Sequence, residues 1–218
     1  MEPPEAPAER ERIVWAMAEL CAELGYEETS IEQIVARAKV SVADFEELFG
    51  SDKEACGVAA ENAILAEVLA AVGAGYSADR SEWDSVLLGV KAILELMAAN
   101  PSYAYLGYVA ARQMAPARVR EVYESGHQML RAMLERGWEY SEGGAQPAQT
   151  PVGVLGGAEA IIRREVVAGR AGELPRLLPD FVYGATVPFL GQEEALRLAR
   201  RGRELLTETN RKEGSSWA

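Results

Sequence analysis

GYEETSIEQIVARAKVSVADFEELFGSDKEA, residues 25–55, carries three helix-start signals in close succession. At Thr29–Glu32, Ser41–Asp44 and Ser51–Glu54 a hydroxyl stands three residues ahead of a carboxylate. That spacing lets the two side chains satisfy backbone N–H groups that an opening helix leaves unpaired. Behind the first signal, Ile31, Ile34, Val35 and Ala38 fall on one helical face, and behind the second so do Phe45, Leu48 and Phe49. Gly25 and Gly50 supply left-handed stops. The stretch predicts two short helices and the start of a third.

Working outward, residues 9–24 place Ile13, Met17, Leu20 and Leu24 on one apolar stripe with Cys21 beside it, which predicts a first helix. The third signal opens a fourth helix, expected to reach about residue 72. Ser81–Asp84 opens a fifth through Ala99, and Asn100-Pro101 breaks it. Pro101 suits the first turn of a sixth helix to about 114, and Pro116 that of a long seventh to about 140. Residues 141–151, SEGGAQPAQTP, read as a connection. Helices over 152–168, 175–190 and a basic one over 192–207 complete the pattern. No alternation bounded by turns suggests strands. The expected fold is all-α: a disordered tail (1–8), a small three-helix domain (9–54), a larger helical domain (55–207) and a flexible tail (208–218).

Composition narrows the function classes. The 218-residue chain is 49% hydrophobic and 26% charged, with net charge −12. Its size allows a sizeable core, and its charge disfavours general attraction to nucleic acid or anionic membrane. Residues 1–56 carry fourteen acidic and five basic side chains, a net of −9. Two cysteines without metal or disulfide spacing, Cys21 and Cys56, read as buried reduced thiols of a cytoplasmic protein. The opening MEPPEAPAERER lacks the apolar centre of a signal peptide, and no membrane span is expected.

The quoted stretch resembles the TetR family of bacterial transcription regulators. Gly25, Tyr26, Thr29, Ser30, Ile31, Ile34, Ala38, Val40, Ser41, Phe45, Phe49, Lys53 and Glu54 fall on the family pattern, and LPRLLPDFVYGATVPFLGQEEALRLA is similar to the tail of many members. The resemblance implies a helix-turn-helix whose second helix enters the major groove of double-stranded DNA, and homodimers that read paired half-sites. It further implies a C-terminal half with a small-molecule pocket and a dimer interface from the last two long helices before the basic one. The DNA-facing candidates are Thr29, Arg37, Lys39, Ser41, Val42, Ala43, Glu46 and Lys53. Four positions depart from the pattern. Lys39 replaces the usual glycine of the turn, Val42 a Lys, Arg or Pro, Glu46 an aromatic, and Leu48 a His or Tyr. The recognition helix offers none of the Arg, Lys, Asn or Gln side chains that read bases best.

In the C-terminal half, Trp83, Met97, Tyr105, Tyr108, Met114, His127 and Trp138 are the candidate ligand contacts. Large apolar bodies with polar tips suit a small-molecule pocket, and each also suits an ordinary core. Tyr105 and Tyr108, three apart, are expected on one wall, with Tyr103 on the surface. Glu124 and His127 have the Glu-x-x-His spacing of dimetal bundles, but the chain holds no second histidine, so neither metal nor other cofactor is expected. RLARRGR (197–203) reads as a solvated face or as a partner for the acidic N-terminal part. The glycines of GVLGGAEA (153–160) suit close helix packing in a dimer. No catalytic constellation appears, and the chain is not read as an enzyme. Two readings stay open. One is a DNA-binding repressor released by a small apolar or aromatic ligand. The other is a dimer of the same fold, with weakened or lost DNA binding, that serves as a ligand- or protein-binding module.

Overall fold

The computed structural model describes residues 8–76, 79, 81–113, 116–136 and 147–215, with the side chains of 113 and 209–215 excepted. Most of the expected N-terminal tail and of the 141–151 connection lie outside the described residues, as do Met114 and Trp138. Among the described residues the structure is helical and contains no strand. The helices are α1 (Glu9–Leu24), α2 (Ile31–Ala38), α3 (Val42–Phe49), α4 (Lys53–Gly75), α5 (Glu82–Ala99), α6 (Pro101–Tyr105), α7 (Ala111–Gln113), α8 (Ala117–Arg136), α9 (Thr150–Val167) and α10 (Leu178–Ser215). A π-helical segment, Leu106–Ala110, joins α6 to α7, and a 3₁₀ segment, Ala171–Leu177, precedes α10. The sixth helix is thus interrupted rather than continuous. The helix expected from Pro175 starts at Leu178, because Pro175 lies within the 3₁₀ turns. Gly191, at φ 73° and ψ 175°, breaks α10 where the sequence separates an apolar helix from a basic one.

The chain forms two compact units, Met1–Ala66 with Ser102–Ser125, and Glu67–Pro101 with Gly126–Ala218. In the first unit, Ile13, Met17 and Cys21 of α1, Ile34 of α2 and Phe45 of α3 are fully buried. Each large side chain among them contributes roughly 1.5–3 kcal/mol. Phe49 packs on Phe45 at 5.3 Å between ring centroids. Leu48, expected inside, is 41% exposed, and Leu24 is 45% exposed. Tyr103, expected on the surface, is buried and tilts against Trp15 at 5.2 Å.

In the second unit, α5 packs on the 3₁₀ segment and α10. Leu87, Leu94, Met97, Leu174, Leu178 and Leu198 form its centre. A Cβ on Gly75 would lie 2.7 Å from the Gly89 nitrogen and 2.9 Å from the Ser85 carbonyl oxygen. The end of α4 therefore meets α5 backbone to backbone, and only glycine fits there. Among the described residues α4 is the one helix long and apolar enough to cross a membrane, with a hydropathy of 1.6. It carries Glu61 and Glu67. Its stripe of Cys56, Ala60, Ile64, Val68 and Val72 is buried within the protein, as in a core helix.

Candidate nucleic-acid interface and effector cavity

The first unit builds a helix-turn-helix from its caps. Ser30 Oγ accepts from the Gln33 N–H at 3.3 Å, and Gln33 Oε1 accepts from the Ser30 N–H at 2.8 Å. The capping box is therefore Ser30–Gln33, one residue beyond the expected Thr29–Glu32. Thr29 is instead buried, and its hydroxyl donates to the Gly25 carbonyl at 2.8 Å. On α3 the expected box is present: Ser41 Oγ accepts from the Asp44 N–H at 3.1 Å, and Asp44 Oδ2 from the Ser41 N–H at 2.8 Å. These backbone contacts hold the Asp44 carboxyl below its ordinary range. At α4 the start differs. Ser51 donates to Glu46 Oε1 at 3.0 Å, and Asp52 Oδ1 accepts from the Glu54 N–H at 2.8 Å.

Lys39 makes the turn between α2 and α3, at φ 56° and ψ 49°. It is the one non-glycine residue at positive φ among the described residues. The Val40 N–H reaches the Val35 carbonyl at 3.1 Å and the Lys39 N–H the Ala36 carbonyl at 3.4 Å. That pair of bonds is the Schellman motif, which places its left-handed residue where glycine is usual. Arg12 Nε donates to the Ala38 carbonyl at 3.2 Å and ties α1 to the same turn.

The candidate DNA contacts divide sharply. Ser41, Val42, Ala43 and Glu46 are exposed at the start and outer face of α3, and Lys39 is exposed beside them. Arg37 is held by Glu23 at 2.8 and 2.6 Å and by Glu19 at 3.0 Å. These carboxylates push its guanidinium further above its ordinary range. Lys53 Nζ donates to the carbonyls of Tyr26, Thr29 and Glu27 at 2.9, 2.9 and 3.3 Å, and sits 4.5 Å from the Tyr26 ring. The surface beside α3 therefore carries Glu46 and Glu47, with Lys39 as its cation.

The second unit contains a cavity of about 300 Å³. Tyr76, Trp83, Val86, Met133, Leu134 and Phe189 line it, with Glu82 and Arg136 as its charged members. Trp83 and Phe189 stand 5.9 Å apart, inclined at 34°. Such a lining is mostly apolar with few polar groups, as in small-molecule sites. Trp83 is the one sequence-selected ligand candidate it contains among the described residues. Met97 is fully buried in the unit's core. His127 Nε2 lies 3.1 Å from Glu159 Oε1, joining α8 to α9. Tyr105 ends α6 and Tyr108 sits inside the π-segment, both half-buried in the first unit. The wider π turn removes the i, i+3 superposition expected of an α-helix. The other lining residues come from α5, α8, α10 and Tyr76 just past α4, and Phe189 is far from Trp83 in sequence. Periodicity along one helix could not have joined them.

No protein-family model and no curated protein matches the chain. Solved structures do. The fatty acid degradation regulator FadR of Bacillus halodurans superposes with TM-score 0.70 at 16% identity, over 82% of this chain and 96% of that one. FadR of Bacillus subtilis in complex with stearoyl-CoA gives 0.65 at 16%, over 83% and 97%. A TetR-like transcriptional regulator from Rhodococcus sp. RHA1 gives 0.58 at 18%, over 80% and 96%. The chain has the fold of these TetR-like regulators.

Proposed function

We propose that this chain is a cytoplasmic, homodimeric transcriptional regulator that acts by binding and not by catalysis. In this reading it is a repressor, released from double-stranded DNA by a small apolar or aromatic ligand. The observation that carries the DNA half of this reading is the rigid presentation of α3. Two capping boxes and a Schellman turn fix α2 and α3, and Val42, Ala43 and Glu46 face outward from them. A helix so held can be set in a major groove. Serine hydroxyls and helix N-termini would supply phosphate contacts together with Lys39.

The cavity on Trp83 and Phe189 supports the ligand half. At about 300 Å³ it suits one or two rings rather than a ligand as large as the stearoyl-CoA bound by the Bacillus subtilis regulator. Release would follow from population shift, if the ligand prefers the form with the lower DNA affinity. Helices α4 and α8 each contribute residues to both compact units and run continuously from one to the other. Homodimerisation is supported by α9, where Gly153, Gly156 and Gly157 have open space around their missing Cβ atoms.

A second reading draws on the fate of Arg37 and Lys53, which are held by the protein's own carboxylates and carbonyls. It is a dimer with weakened or lost DNA affinity that serves as a ligand- or protein-binding module. Fluorescence anisotropy of the purified protein against pooled fragments of its own genome tests the two, with a salt titration and with small aromatic compounds added. Competitor-resistant binding that falls with salt and with an aromatic ligand is the result expected of the regulator. A folded dimer that binds no fragment at low salt would overturn it in favour of the module.

A further inference from the structure

Glu61 lies near the middle of α4, at a position where the helix faces inward. It is 4% exposed, and its Oε2 has no hydrogen-bond partner among the described residues. Its Oε1 is 3.8 Å from the point where a Cβ of Gly107 would stand. Gly107 belongs to the π-segment Leu106–Ala110, which packs on α1 in the same compact unit. Two irregularities therefore coincide, an orphaned carboxyl oxygen and a π turn, and each recurs at functional positions in other folds.

We propose that Glu61 is a proton-operated latch of the helix-turn-helix unit: protonated, it holds α4 against Leu106–Ala110; ionised, it loosens that packing. The chemistry is a single proton exchanged with solvent. A neutral carboxyl tolerates this apolar site, whereas an ionised one needs water or a donor that closed packing withholds.

Among the described residues no neighbouring charge offsets the burial of Glu61. Besides Lys53, Glu54, Cys56 and Glu67 on its own helix, the unit offers Glu9, Arg10, Glu11, Arg12, Glu19, Cys21 and Glu23 on α1. The segment from α6 to α7 adds Tyr103, Tyr105, Tyr108 and Arg112, and the start of α8 adds Arg118, Arg120, Glu121, Tyr123 and Glu124. None of them shifts Glu61. Burial alone pushes its carboxyl from 4.5 up to about 7. Because this acid is raised in the folded chain, the closed packing is firm at low pH. It weakens as pH climbs through the interval from 4.5 to about 7.

Hydrogen exchange of the full chain tests the latch without reference to DNA. Wild type and Glu61→Gln are compared at about pH 5.5 and at about pH 8.5, so that intrinsic exchange cancels at each pH. At the lower pH wild type should exchange 106–110 only about ten-fold faster than Glu61→Gln, since the carboxyl released on opening already ionises there. At the higher pH wild type should exchange on the order of a hundred-fold faster than Glu61→Gln. A wild-type to variant ratio that is the same at both values overturns the proposal. Infrared spectroscopy of wild type supplies a second readout, independent of how the variant folds. A protonated-carboxyl band should be present at about pH 5.5 and absent at about pH 8.5, and a site ionised at both would equally overturn the latch.

Discussion

Lys39→Gly separates what the helix-turn-helix turn does for the fold from what it does for DNA. Lys39 holds φ 56° and ψ 49°, where an L-residue crowds its Cβ against the following carbonyl. That strain is roughly 1–2 kcal/mol, and glycine escapes it. Glycine loses more chain entropy on folding, by roughly 0.5–1 kcal/mol. The net expectation is a gain of about 0.5–1 kcal/mol, or a rise in melting temperature of about 2 °C for a chain of this size. The same substitution removes the cation that stands exposed beside α3. If a dimer places one Lys39 on each half-site, two phosphate contacts vanish, and the log–log salt slope of DNA binding becomes shallower by about 1.8. Lys39→Ala is the control, because it keeps the Cβ and loses the charge. It should lower the slope as much and leave melting unraised. Thermal unfolding followed by circular dichroism and anisotropy at several salt concentrations give both numbers. A glycine variant that melts no higher than the alanine variant would refute the strain argument. An unchanged slope in both would refute the phosphate contact.

Lys53→Met should cost about 2–4 kcal/mol, because the carbonyls of Tyr26 and Thr29 lose a charged donor at a half-buried site. A urea midpoint unmoved from wild type would show that water replaces the ammonium freely. Val42→Lys with Glu46→Tyr should tighten DNA binding and steepen its salt slope, both positions being exposed on α3; equal affinity would sink the charge argument. Burial pushes the thiols of Cys21 and Cys56 up to about 11 and about 12. Iodoacetamide at neutral pH should therefore modify them slowly in the folded protein and fast in urea, and rapid native labelling would show that the α1–α4 core opens.

The N-terminal unit was legible because its signals are local. Ser41 and Asp44, Gly50, and the turn at Lys39 each act within a few residues, so spacing in the chain is spacing in space. The misplacements have physical causes. Thr29 was expected as the cap, and Ser30 takes that place because Thr29 is drawn inward to the Gly25 carbonyl. Lys53 and Arg37 looked like surface cations because their partners lie between fourteen and twenty-seven residues away. Nothing in the sequence signalled the π-segment, whose extra backbone turn has no composition of its own. The cavity was less legible still, since Trp83 and Phe189 meet only through tertiary packing.

The placement of the five cations in residues 1–56 leads to a further expectation. Arg10 stands over the Phe49 ring at 5.7 Å, Arg12 binds the Ala38 carbonyl, Arg37 is clamped by Glu19 and Glu23, and Lys53 closes the loop before α2. Four of the five thus act on the fold. For Arg37 to reach a phosphate it must leave two carboxylates, which would then face the same phosphate unneutralised. The exchange gains little, since one anionic partner replaces another and two charges are left exposed. If DNA binds the unit as it stands, the dimer offers one lysine per half-site, and the salt slope should be near −2. A slope of about −5 or steeper would mean that Arg37 and Arg12 abandon their partners on DNA and that the free arrangement is an autoinhibited one. A slope near −2 with measurable specificity would mean that helix N-termini, serine hydroxyls and groove shape carry recognition, with charge playing a minor part.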